Sequence, residues 1–296
     1  MSQPLRNVDF IELPLFVRGK VRDVFDLDDA LLIVVTDRIS AFDVVFEELI
    51  PHKGVVLNSI AAFWFDLTRD IVDNHVLSTD PRTYPMGLDR YAEQLAGRSM
   101  LVRKIRMLPA ECIVRGYLEG SALKEYRQTQ TVGGIEMPSG LRQADRLPEP
   151  VFTPSTKEES GHDINISFEQ LKDLIGPGPA DRVRQTSLAL YKAAAARAEE
   201  KGIILADTKF EFGMADGRLM VADEIFTPDS SRFWELSDYE PGRPQKSFDK
   251  QYLREWLETL DWDKTPPPPT LPQAVIEATS LKYVEAYERL TGKKLL

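Results

Sequence analysis

Residues 202–234 (GIILADTKFEFGMADGRLMVADEIFTPDSSRFW) constrain the fold most, because they set six acidic residues and three cations among apolar ones. Asp207, Lys209 and Glu211 alternate with other residues, so in a strand their side chains share one face. A second apolar run follows a turn and ends at Asp223. Burying carboxylates there costs several kilocalories per mole per charge unless cations or hydrogen bonds compensate. The pattern predicts a buried hairpin with one charged face.

A divalent cation, Mg²⁺ in particular, would compensate these carboxylates while it binds nucleotide phosphates. Glu211 and Asp223 are the predicted ligands. Pairing of Gly213 with Leu219, or an equivalent bulge, would put both carboxylates on one face, whereas a one-residue slip would separate them. The alternative interpretation is a hairpin whose polar face is solvated and closed by salt bridges.

The bulk composition excludes several classes of protein. With 296 residues, 43% apolar and 28% charged, the chain has the composition of a globular protein, not of a disordered or fibrous one. Its net charge of −10 argues against nucleic-acid binding, which needs a basic face. The same charge makes local clusters of Arg and Lys more informative, since the background repels anions.

The sequence also predicts a cytoplasmic protein without a membrane partner. The first residues, MSQPLRNVDF, lack the features of a signal peptide, and no apolar run approaches the roughly 20 residues of a membrane span. The single cysteine, Cys112, excludes an internal disulfide and lies in an apolar run typical of a core. The three histidines have no zinc spacing. A monomer and a small homo-oligomer both remain open.

The periodicity of apolar residues predicts an order of elements: strands within residues 17–45, helices over residues 58–72, 180–201 and from Pro272 onward, and strands over residues 100–107 and 111–117. Leu108 and Pro109 separate the last two strands and are the predicted boundary between two lobes. Residues 132–179, rich in Gly, Pro, Ser and Thr, predict long loops of the kind that carry function or are disordered. The prolines at residues 266–269 predict a stiff spacer.

The motif RGKVRD at residues 18–23 places three cations in a strand or a strand–turn. Gly19 would let backbone N–H groups approach an anion, and Lys20 and Arg22 would pair with phosphates, so the motif predicts a loop over ATP. An exposed basic edge strand explains the motif equally well. Lys104 is a weaker candidate for contact with the nucleotide.

Two further segments predict ligand sites. Polar residues follow a buried strand at residues 36–43 (TDRISAFD), where a capped helix start is the alternative. Arg115 precedes two glycines and a predicted helix cap at Ser121, a pattern that indicates a phosphate site or an ordinary strand–helix turn. Residues 153–157 and 161–165 are dense in hydrogen-bonding groups, and a solvated linker is the alternative there.

Together these segments resemble the SAICAR synthetase (phosphoribosylaminoimidazole-succinocarboxamide synthase) family of purine biosynthesis, in its longer form. The matching motifs run in order nearly from end to end: GKVRDVF, TDRISAFDVV, IPHKGVVLNSI, ECIVRGYLEGSALKEY, FTPSTKEESGHDINIS, ADTKFEFG and ADEIFTPDSSRFW. The last four are specific in combination, and no motif position departs from the family's pattern.

The resemblance implies an α+β fold of two lobes, with antiparallel sheets and packed helices, related to protein kinases and ATP-grasp enzymes. It implies a nucleotide-covering lobe at residues 1–108 and a catalytic lobe at residues 109–264. Residues 265–296 would form a proline-rich spacer and a terminal helix packed on the larger lobe.

The resemblance further implies that ATP, with Mg²⁺, drives the joining of the carboxylate of carboxyaminoimidazole ribonucleotide (CAIR) to the amine of L-aspartate, giving ADP and phosphate. A carboxylate is a poor acyl donor, so phosphorylation would activate it, and that transfer needs a metal and cations rather than a protein nucleophile. A small-molecule kinase with a base such as Asp207 is the alternative. A catalytically silent nucleotide-binding protein is disfavoured, because metal carboxylates and a basic loop are both present.

The predicted site residues follow from these motifs. Asp207 and Lys209 are the predicted catalytic residues, and Arg115, Ser121 and Arg232 are predicted to hold CAIR. The candidates for aspartate lie in two loops: Asp37, Arg38, Ser40 and Asp43, and Lys157, His162 and Asn165. Asp37, Asp43 or His162 could accept the proton of the amine. The second loop could instead serve only as a lid that excludes water.

Overall fold

The computed structural model describes residues 3–157, 164–248 and 250–295. Its strands, in chain order, are β1 Leu15–Arg18, β2 Arg22–Leu27, β3 Ala30–Val35, β4 Arg38–Ala41, β5 Val44–Leu49, β6 Asp73–Asn74, β7 Val76–Ser78, β8 Ser99–Arg103, β9 Arg106–Tyr117, β10 Thr131–Val132, β11 Ile135–Glu136, β12 Arg146–Thr156, β13 Ile203–Ala215, β14 Arg218–Ala222 and β15 Ser231–Glu235. The strands predicted within residues 17–45 are therefore present.

The helices are α1 Lys53–Leu67, α2 Ala92–Leu95, α3 Gly120–Thr129, α4 Phe168–Ile175, α5 Pro177–Glu199, α6 Gln251–Glu258 and α7 Gln273–Thr291. The predicted helices at residues 180–201 and after Pro272 correspond to α5 and α7. Helix α1 begins five residues before the predicted start and ends before Thr68, whose hydroxyl donates to the carbonyl of Trp64 at 2.7 Å. A hydroxyl that bonds its own preceding turn competes with further helix and marks the end.

Two sheets organise the chain. A five-stranded antiparallel sheet has the order β1-β2-β3-β8-β7. A six-stranded sheet has the order β12-β9-β13-β14-β6, with β15 also paired to β13, and its pairs are antiparallel except for β14 with β6. Strand β13 lies at the centre of this second sheet, so the charged face predicted for residues 207–211 stands in the middle of the molecule's largest sheet.

Apolar residues from both sheets and four helices form one main core. It includes Trp64 on α1, Tyr191 on α5, Phe210 on β13 and Tyr283 on α7, all buried. Burying each large side chain contributes about 1.5–3 kcal/mol. Mixed helices and largely antiparallel sheets confirm the predicted α+β class. Among the described residues, no helix is long and apolar enough to cross a membrane.

The predicted break at Leu108 and Pro109 is wrong, because β9 runs through both residues. The register between β9 and β13 shifts between Glu211 and Gly213, so residues 108–110 form a bulge. A bulge accommodates a proline without ending the strand. The chain passes from the first sheet to the second between β8 and β9 instead, and the division into lobes at residues 108 and 264 stays a prediction.

The long loops predicted over residues 132–179 are also wrong, since that stretch contains β12 and α4. Strand β12 carries Pro148, Pro150 and Pro154, which disguise it in the sequence. It is the edge strand of its sheet. Proline is tolerated at an edge, because its missing N–H removes no bond that a neighbouring strand needs.

The hairpin of β13 and β14 has the predicted charged face but not the predicted register. Gly213 pairs with Met220, not with Leu219. The turn consists of Asp216 and Gly217, both with positive φ (52° and 73°). That conformation is typical of the tightest hairpin turn and favours an Asp-Gly pair. The two-residue turn therefore sets the pairing one residue away from the predicted one.

Helix α7 packs against two other helices, α1 and α6. Arg289 of α7 donates to Glu235 at the end of β15 and to the carbonyl of Gly202 at 2.8 Å. Hydrogen bonding from Arg289 lowers the pKa of the Glu235 carboxyl to about 2. The helix thus ties together segments from both ends of the chain.

His75, between β6 and β7, is a buried titratable group in the core. Only 4% of it is exposed, and its ring lies 5.4 Å from the ring of Phe65. Its Nε2 has no hydrogen-bond partner among the described residues. Burial, and then the charge of Arg22, lower the pKa of His75 to about 3. The folded protein therefore holds this imidazole neutral.

We expect His75 to make the fold sensitive to acid. The unfolded chain takes up a proton near pH 6.5 and the folded chain only near pH 3, so stability is fully present above the unfolded pKa and falls as the pH drops between these values. At pH 5 this term is about 2 kcal/mol. Urea unfolding measures the loss in the free energy of unfolding between pH 7.5 and pH 5. This loss should be smaller in His75→Leu than in the wild type by about 2 kcal/mol. Parallel losses in the two proteins would contradict the assignment.

Candidate active site

A cleft opens between the β1–β2 hairpin, the tip of the β4–β5 hairpin and the charged face of β13. Its central cavity has a volume of about 670 Å³, within the range of roughly 300–1,000 Å³ typical of ligand sites. Val17 and Val24 line one part, and Glu211 and Asp223 line another. A small cavity of about 140 Å³ and a third of about 410 Å³ beside the start of α3 adjoin it. We call the latter two the small cavity and the α3 cavity.

Glu211 and Asp223 reach the same cavity despite the register slip. Strand β14 ends at Ala222, and Asp223 takes a left-handed φ of 61°, which frees its side chain from the alternation of the strand. Each carboxylate pairs with a cation, Glu211 with Lys157 and Asp223 with Arg22. The metal prediction required either the Gly213–Leu219 pairing or an equivalent irregularity of the hairpin. The left-handed backbone at the end of β14 is such an irregularity.

The charges around Asp223 leave room for a further cation. Burial raises the pKa of the Asp223 carboxyl, Arg22 works against that rise, and the charge of Glu211 adds to it. No group of three or more His, Cys, Asp or Glu side chains that could hold a metal occurs among the described residues. Mg²⁺ is commonly held by one or two carboxylates together with substrate phosphates and water, so Glu211 and Asp223 fit that ion.

The other charged residues of β13 lie on the same face. Lys209 pairs with Glu111 on β9. Burial works against the charge of Lys209, but Glu111 raises the pKa of the amine above its ordinary value, so the lysine stays protonated. Asp207 contacts both Arg115 at 3.2 Å and Arg232. The three residues predicted to share one face therefore do so.

The basic motif forms the turn of the β1–β2 hairpin. Lys20 and Arg22 line the central cavity, where Lys20 pairs with Asp43. The N–H of Gly19 donates to the carbonyl of Arg22 at 2.7 Å, so it closes the turn and does not point at a ligand. Lys104 lies outside the lining of this cavity and pairs with Asp26 at 2.7 Å.

A second cluster of cations surrounds Asp207. Arg115 donates to the hydroxyl of Ser121 at 2.9 Å, and Arg232 lines both the small cavity and the α3 cavity. Gly120, with φ of 60°, lets the Arg232 guanidinium approach, because a Cβ there would lie 2.7 Å from its Nη2. These groups offer an anion two guanidinium groups and a hydroxyl.

Ser121 is not the cap of α3, as the sequence suggested. The helix begins at Gly120, and the side chain of the preceding residue, Glu119, accepts from the Gly120 N–H at 3.1 Å. An extended Glu119 with a side-chain oxygen in reach of the first free N–H takes the role that Ser121 was expected to have. The hydroxyl of Ser121 faces Arg115 instead.

The polar residues that follow the first buried strand fall into two groups: the first two bond to groups inside the protein, and the later ones line the central cavity. Asp37 is fully buried and accepts from Arg98 and from the N–H groups of Leu5 and Gly54. Arg38 donates to Asp23 at 2.6 Å and to backbone carbonyls. Both groups are used inside the protein, so the interpretation of them as aspartate ligands is not supported.

Ser40 and Asp43, in contrast, line the central cavity. Strands β4 and β5 join through Phe42 and Asp43, which lie between the paired residues Ala41 and Val44 and have φ of 51° and 64°. A bulky residue with positive φ is strained, and such strain gathers at functional sites. The alternative interpretation of this segment, a capped helix start, is wrong, because the chain turns back immediately as a hairpin.

Of the described candidates in the second predicted aspartate loop, one lines the central cavity and one does not. Lys157 lines the central cavity beside Glu211. Asn165 is exposed, bridges to Ser155 through the backbone and is not among the lining residues. His162 lies outside the described residues.

Sequence reasoning missed a buried network around Asp229. Its carboxylate contacts Lys53 on α1 at 2.9 Å, Lys250 before α6 at 3.2 Å and the hydroxyl of Tyr283 on α7 at 2.7 Å. Burial opposes ionisation of Asp229, but Lys250 and Lys53 outweigh it and lower the pKa of the carboxyl. The motif TPDSSR contained the acid, but partners 54 and 176 residues away gave no local signal.

The α+β fold and a cleft lined by ion-paired carboxylates and cations are typical of an enzyme that acts on anionic small molecules. A sequence profile of SAICAR synthetases matches residues 15–269. The chain belongs to the SAICAR synthetase family.

Individual relatives agree over nearly the whole length. The phosphoribosylaminoimidazole-succinocarboxamide synthase of Geotalea uraniireducens is 56% identical and that of Geobacter sulfurreducens 55%, each over 99% of both chains. The solved SAICAR synthase of Saccharomyces cerevisiae complexed with SAICAR is 42% identical, with a TM-score of 0.88 over 98% of this chain and 99% of that one. A SAICAR synthetase in complex with ADP is 25% identical, with a TM-score of 0.70 over 95% of this chain and 99% of that one. The kinase alternative finds no support among these relatives.

Proposed function

We propose that this protein joins the carboxylate of CAIR to the amine of L-aspartate, with hydrolysis of ATP to ADP and phosphate, as the SAICAR-forming step of purine biosynthesis. The observation that carries the proposal is a central cavity lined by a basic hairpin and a pair of carboxylates, beside a small cavity lined by Asp207 and Arg232 of the guanidinium cluster. Relatives solved with SAICAR and with ADP support it. We further expect a cytoplasmic location, with the oligomeric state left open.

The geometry suits activation of a carboxylate by phosphorylation. Glu211 and Asp223 are the residues that would hold Mg²⁺, which when bound neutralises phosphate charge. Lys157 and Arg22 neutralise these carboxylates in the present arrangement and would serve the phosphates beside them. Lys20, at the turn of the basic hairpin, adds a further cation for ATP.

The cluster around Asp207 would bind CAIR. Arg115 and Arg232 present two guanidinium groups, and Ser121 adds a hydroxyl that can donate to phosphate oxygen. Asp207 holds both guanidinium groups at one point, so it acts as a positioning residue for the pair. Lys209, kept protonated by Glu111, lies on β13 between Asp207 of this cluster and Glu211.

We expect Arg115→Ala to raise the KM for CAIR about 10- to 100-fold, because a charged hydrogen-bond donor to phosphate is lost. The KM for ATP should change little, since Arg115 lies outside the lining of the central cavity. Steady-state kinetics with each substrate varied in turn would measure both. Arg115→Lys keeps the charge and guards against a folding defect, and an unchanged KM for CAIR in both variants would remove Arg115 from the site.

The overall proposal is tested by incubating the protein with ATP, Mg²⁺ and CAIR, with and without aspartate, and following the products by mass spectrometry. We expect the succinylated amide and one ADP per product, only when aspartate is present. A phosphorylated product that accumulates without regard to aspartate would indicate a kinase instead.

A further inference from the structure

The aromatic ring of Phe42 lies at the junction of two cavities of the cleft. Of the residues that the structure describes, Phe42 is the one with an apolar side chain that lines both the central cavity and the α3 cavity. Asp43 and Arg254 also line both, and they are charged. The junction therefore has one hydrophobic surface among charged groups, where the nucleotide side of the cleft meets the side of Arg232.

The backbone that carries this ring has an uncommon conformation. Phe42 and Asp43 have φ of 51° and 64° and form the turn between the paired residues Ala41 and Val44. Asn, Asp and Gly are the usual residues in a two-residue turn with positive φ, and an aromatic residue is disfavoured there. Such a conformation persists only where the surrounding structure holds it. The hairpin thus keeps an aromatic residue at its tip against the preference of its own turn.

Two residues of the segment after α6 contact the Phe42 ring, and neither lines any of the three cavities. The ammonium group of Lys264 lies 4.4 Å from the centre of the ring, and the ring of Trp262 meets it edge to face at 6.3 Å. The indole N–H of Trp262 donates to the carbonyl of Thr265 at 2.8 Å, which fixes the indole. Cation–π and edge-to-face contacts favour one orientation of a ring. We call Trp262 and Lys264 the ring clamp.

The fold of the hairpin does not depend on the Phe42 ring. A hydrophobic core of its own attaches the hairpin to α6 and α7, and its fully buried members include Ile39, Ala41, Phe46, Leu253, Leu257 and Val275. We call it the hairpin core. Phe42 is only partly buried and packs at the margin of this core. An aromatic ring that is clamped at the junction, yet is not needed to fill the core, indicates a role in the cleft.

The proposed reaction has a step at which water competes with the second substrate. Transfer of the terminal phosphoryl group of ATP to the carboxylate of CAIR gives ADP and an acyl phosphate. Attack by the amine nitrogen of aspartate on the carbonyl carbon forms the amide and expels phosphate, which takes up the proton that the amine loses. Attack by water expels the same phosphate, returns CAIR and releases a proton, so one ATP is lost. Enzymes suppress such hydrolysis by excluding water from the reactive intermediate.

We propose that the ring of Phe42 excludes water from the acyl phosphate at the junction of the central and α3 cavities, and that the ring clamp keeps it there. The proposal rests on the proposed function. Phe42 then determines how many molecules of ATP are consumed per SAICAR, and Trp262 and Lys264 are positioning residues for it. Loss of the ring should separate ADP release from SAICAR formation.

The experiment measures SAICAR formed per ADP with aspartate present, and the steady release of ADP from ATP, Mg²⁺ and CAIR with aspartate omitted. We expect Phe42→Ala to raise the release without aspartate about 10-fold and to form less than one SAICAR per ADP. Phe42→Leu keeps an apolar side chain and should fall between Phe42→Ala and the wild type. Trp262→Leu keeps Phe42 but loosens the clamp, so it should change both quantities in the same direction by a smaller factor.

Trp256→Leu is the matched control, because Trp256 is also half-buried beside the hairpin core but lines none of the three cavities. It should form one SAICAR per ADP, as the wild type does. A folding defect lowers both products together and leaves their ratio unchanged. If Phe42→Ala forms neither product, Trp262→Leu decides the test.

Two results would overturn the role of Phe42: one SAICAR per ADP in every active variant of Phe42 and Trp262, or extra ADP release that persists when CAIR is also omitted. The second result would mean that water attacks ATP itself. A wild type that forms no SAICAR would overturn the proposed function, so the two failures are distinguishable.

Discussion

Asp223→Asn should reduce kcat on the order of 100- to 1,000-fold while the protein stays folded. Asparagine has nearly the same shape, so the contact with Arg22 and the left-handed backbone at residue 223 can persist. What is lost is one of the two negative charges that would hold Mg²⁺ against the phosphates. The measurement is the rate of ADP release as the concentration of Mg²⁺ is varied.

A matched control lies in the same hairpin. Asp216, at the turn, is exposed, and its ion-pair partner among the described residues is half-buried Arg103, so Asp216→Asn should keep wild-type kcat and wild-type Mg²⁺ dependence. In Asp223→Asn the Mg²⁺ concentration for half-maximal rate should rise as well. If turnover and Mg²⁺ dependence both stayed at wild-type values, Asp223 would be a partner of Arg22 and nothing more.

Lys53→Met should destabilise the protein by about 3 kcal/mol. Lys53 is fully buried, and burial lowers the pKa of its amine while Asp229 resists that change. Removing the lysine leaves a buried carboxylate with Lys250 and Tyr283 alone, which places the cost at the lower end of the range for a broken buried pair. Equilibrium urea unfolding at neutral pH measures it.

An ion pair at the end of α7 provides the comparison. Lys294 pairs with Glu288 at 2.7 Å, but 81% of the lysine side chain is exposed. Lys294→Met should change the free energy of unfolding by less than about 1 kcal/mol. Equal effects of the two substitutions would mean that the buried pair around Asp229 does not hold the helices together.

The sequence predicts the charged strand well because its signal is local. Asp207, Lys209 and Glu211 alternate at the period of a strand, and no tertiary information is needed to place them on one face. The predicted register of the following strand is wrong, although its signal is also local. The Asp216–Gly217 pair is typical of a two-residue hairpin turn. The predicted pairing of Gly213 with Leu219 does not take this turn into account, and the observed partner of Gly213 is Met220.

Other features depended on partners far away in the sequence. Asp37 and Ser40 stand three residues apart after the same buried strand, yet Asp37 is sealed by Arg98 and backbone N–H groups while Ser40 faces the cleft. Nothing in the motif distinguishes the two. The same is true of Asp229, whose partners Lys53 and Tyr283 lie 176 and 54 residues away in the sequence.

The hydroxyl of Tyr283 on α7 has a consequence for how the protein is made. A ribosome delivers β13, the Asp229 turn and α6 before it delivers α7, and domains fold as synthesis proceeds. Until α7 emerges, Asp229 faces two lysines without the hydroxyl that completes its hydrogen bonds. In a nascent chain the residues of the cleft would therefore be present before they are fixed in position. Activity should appear only when α7 is released, although α7 lines none of the three cavities of the cleft.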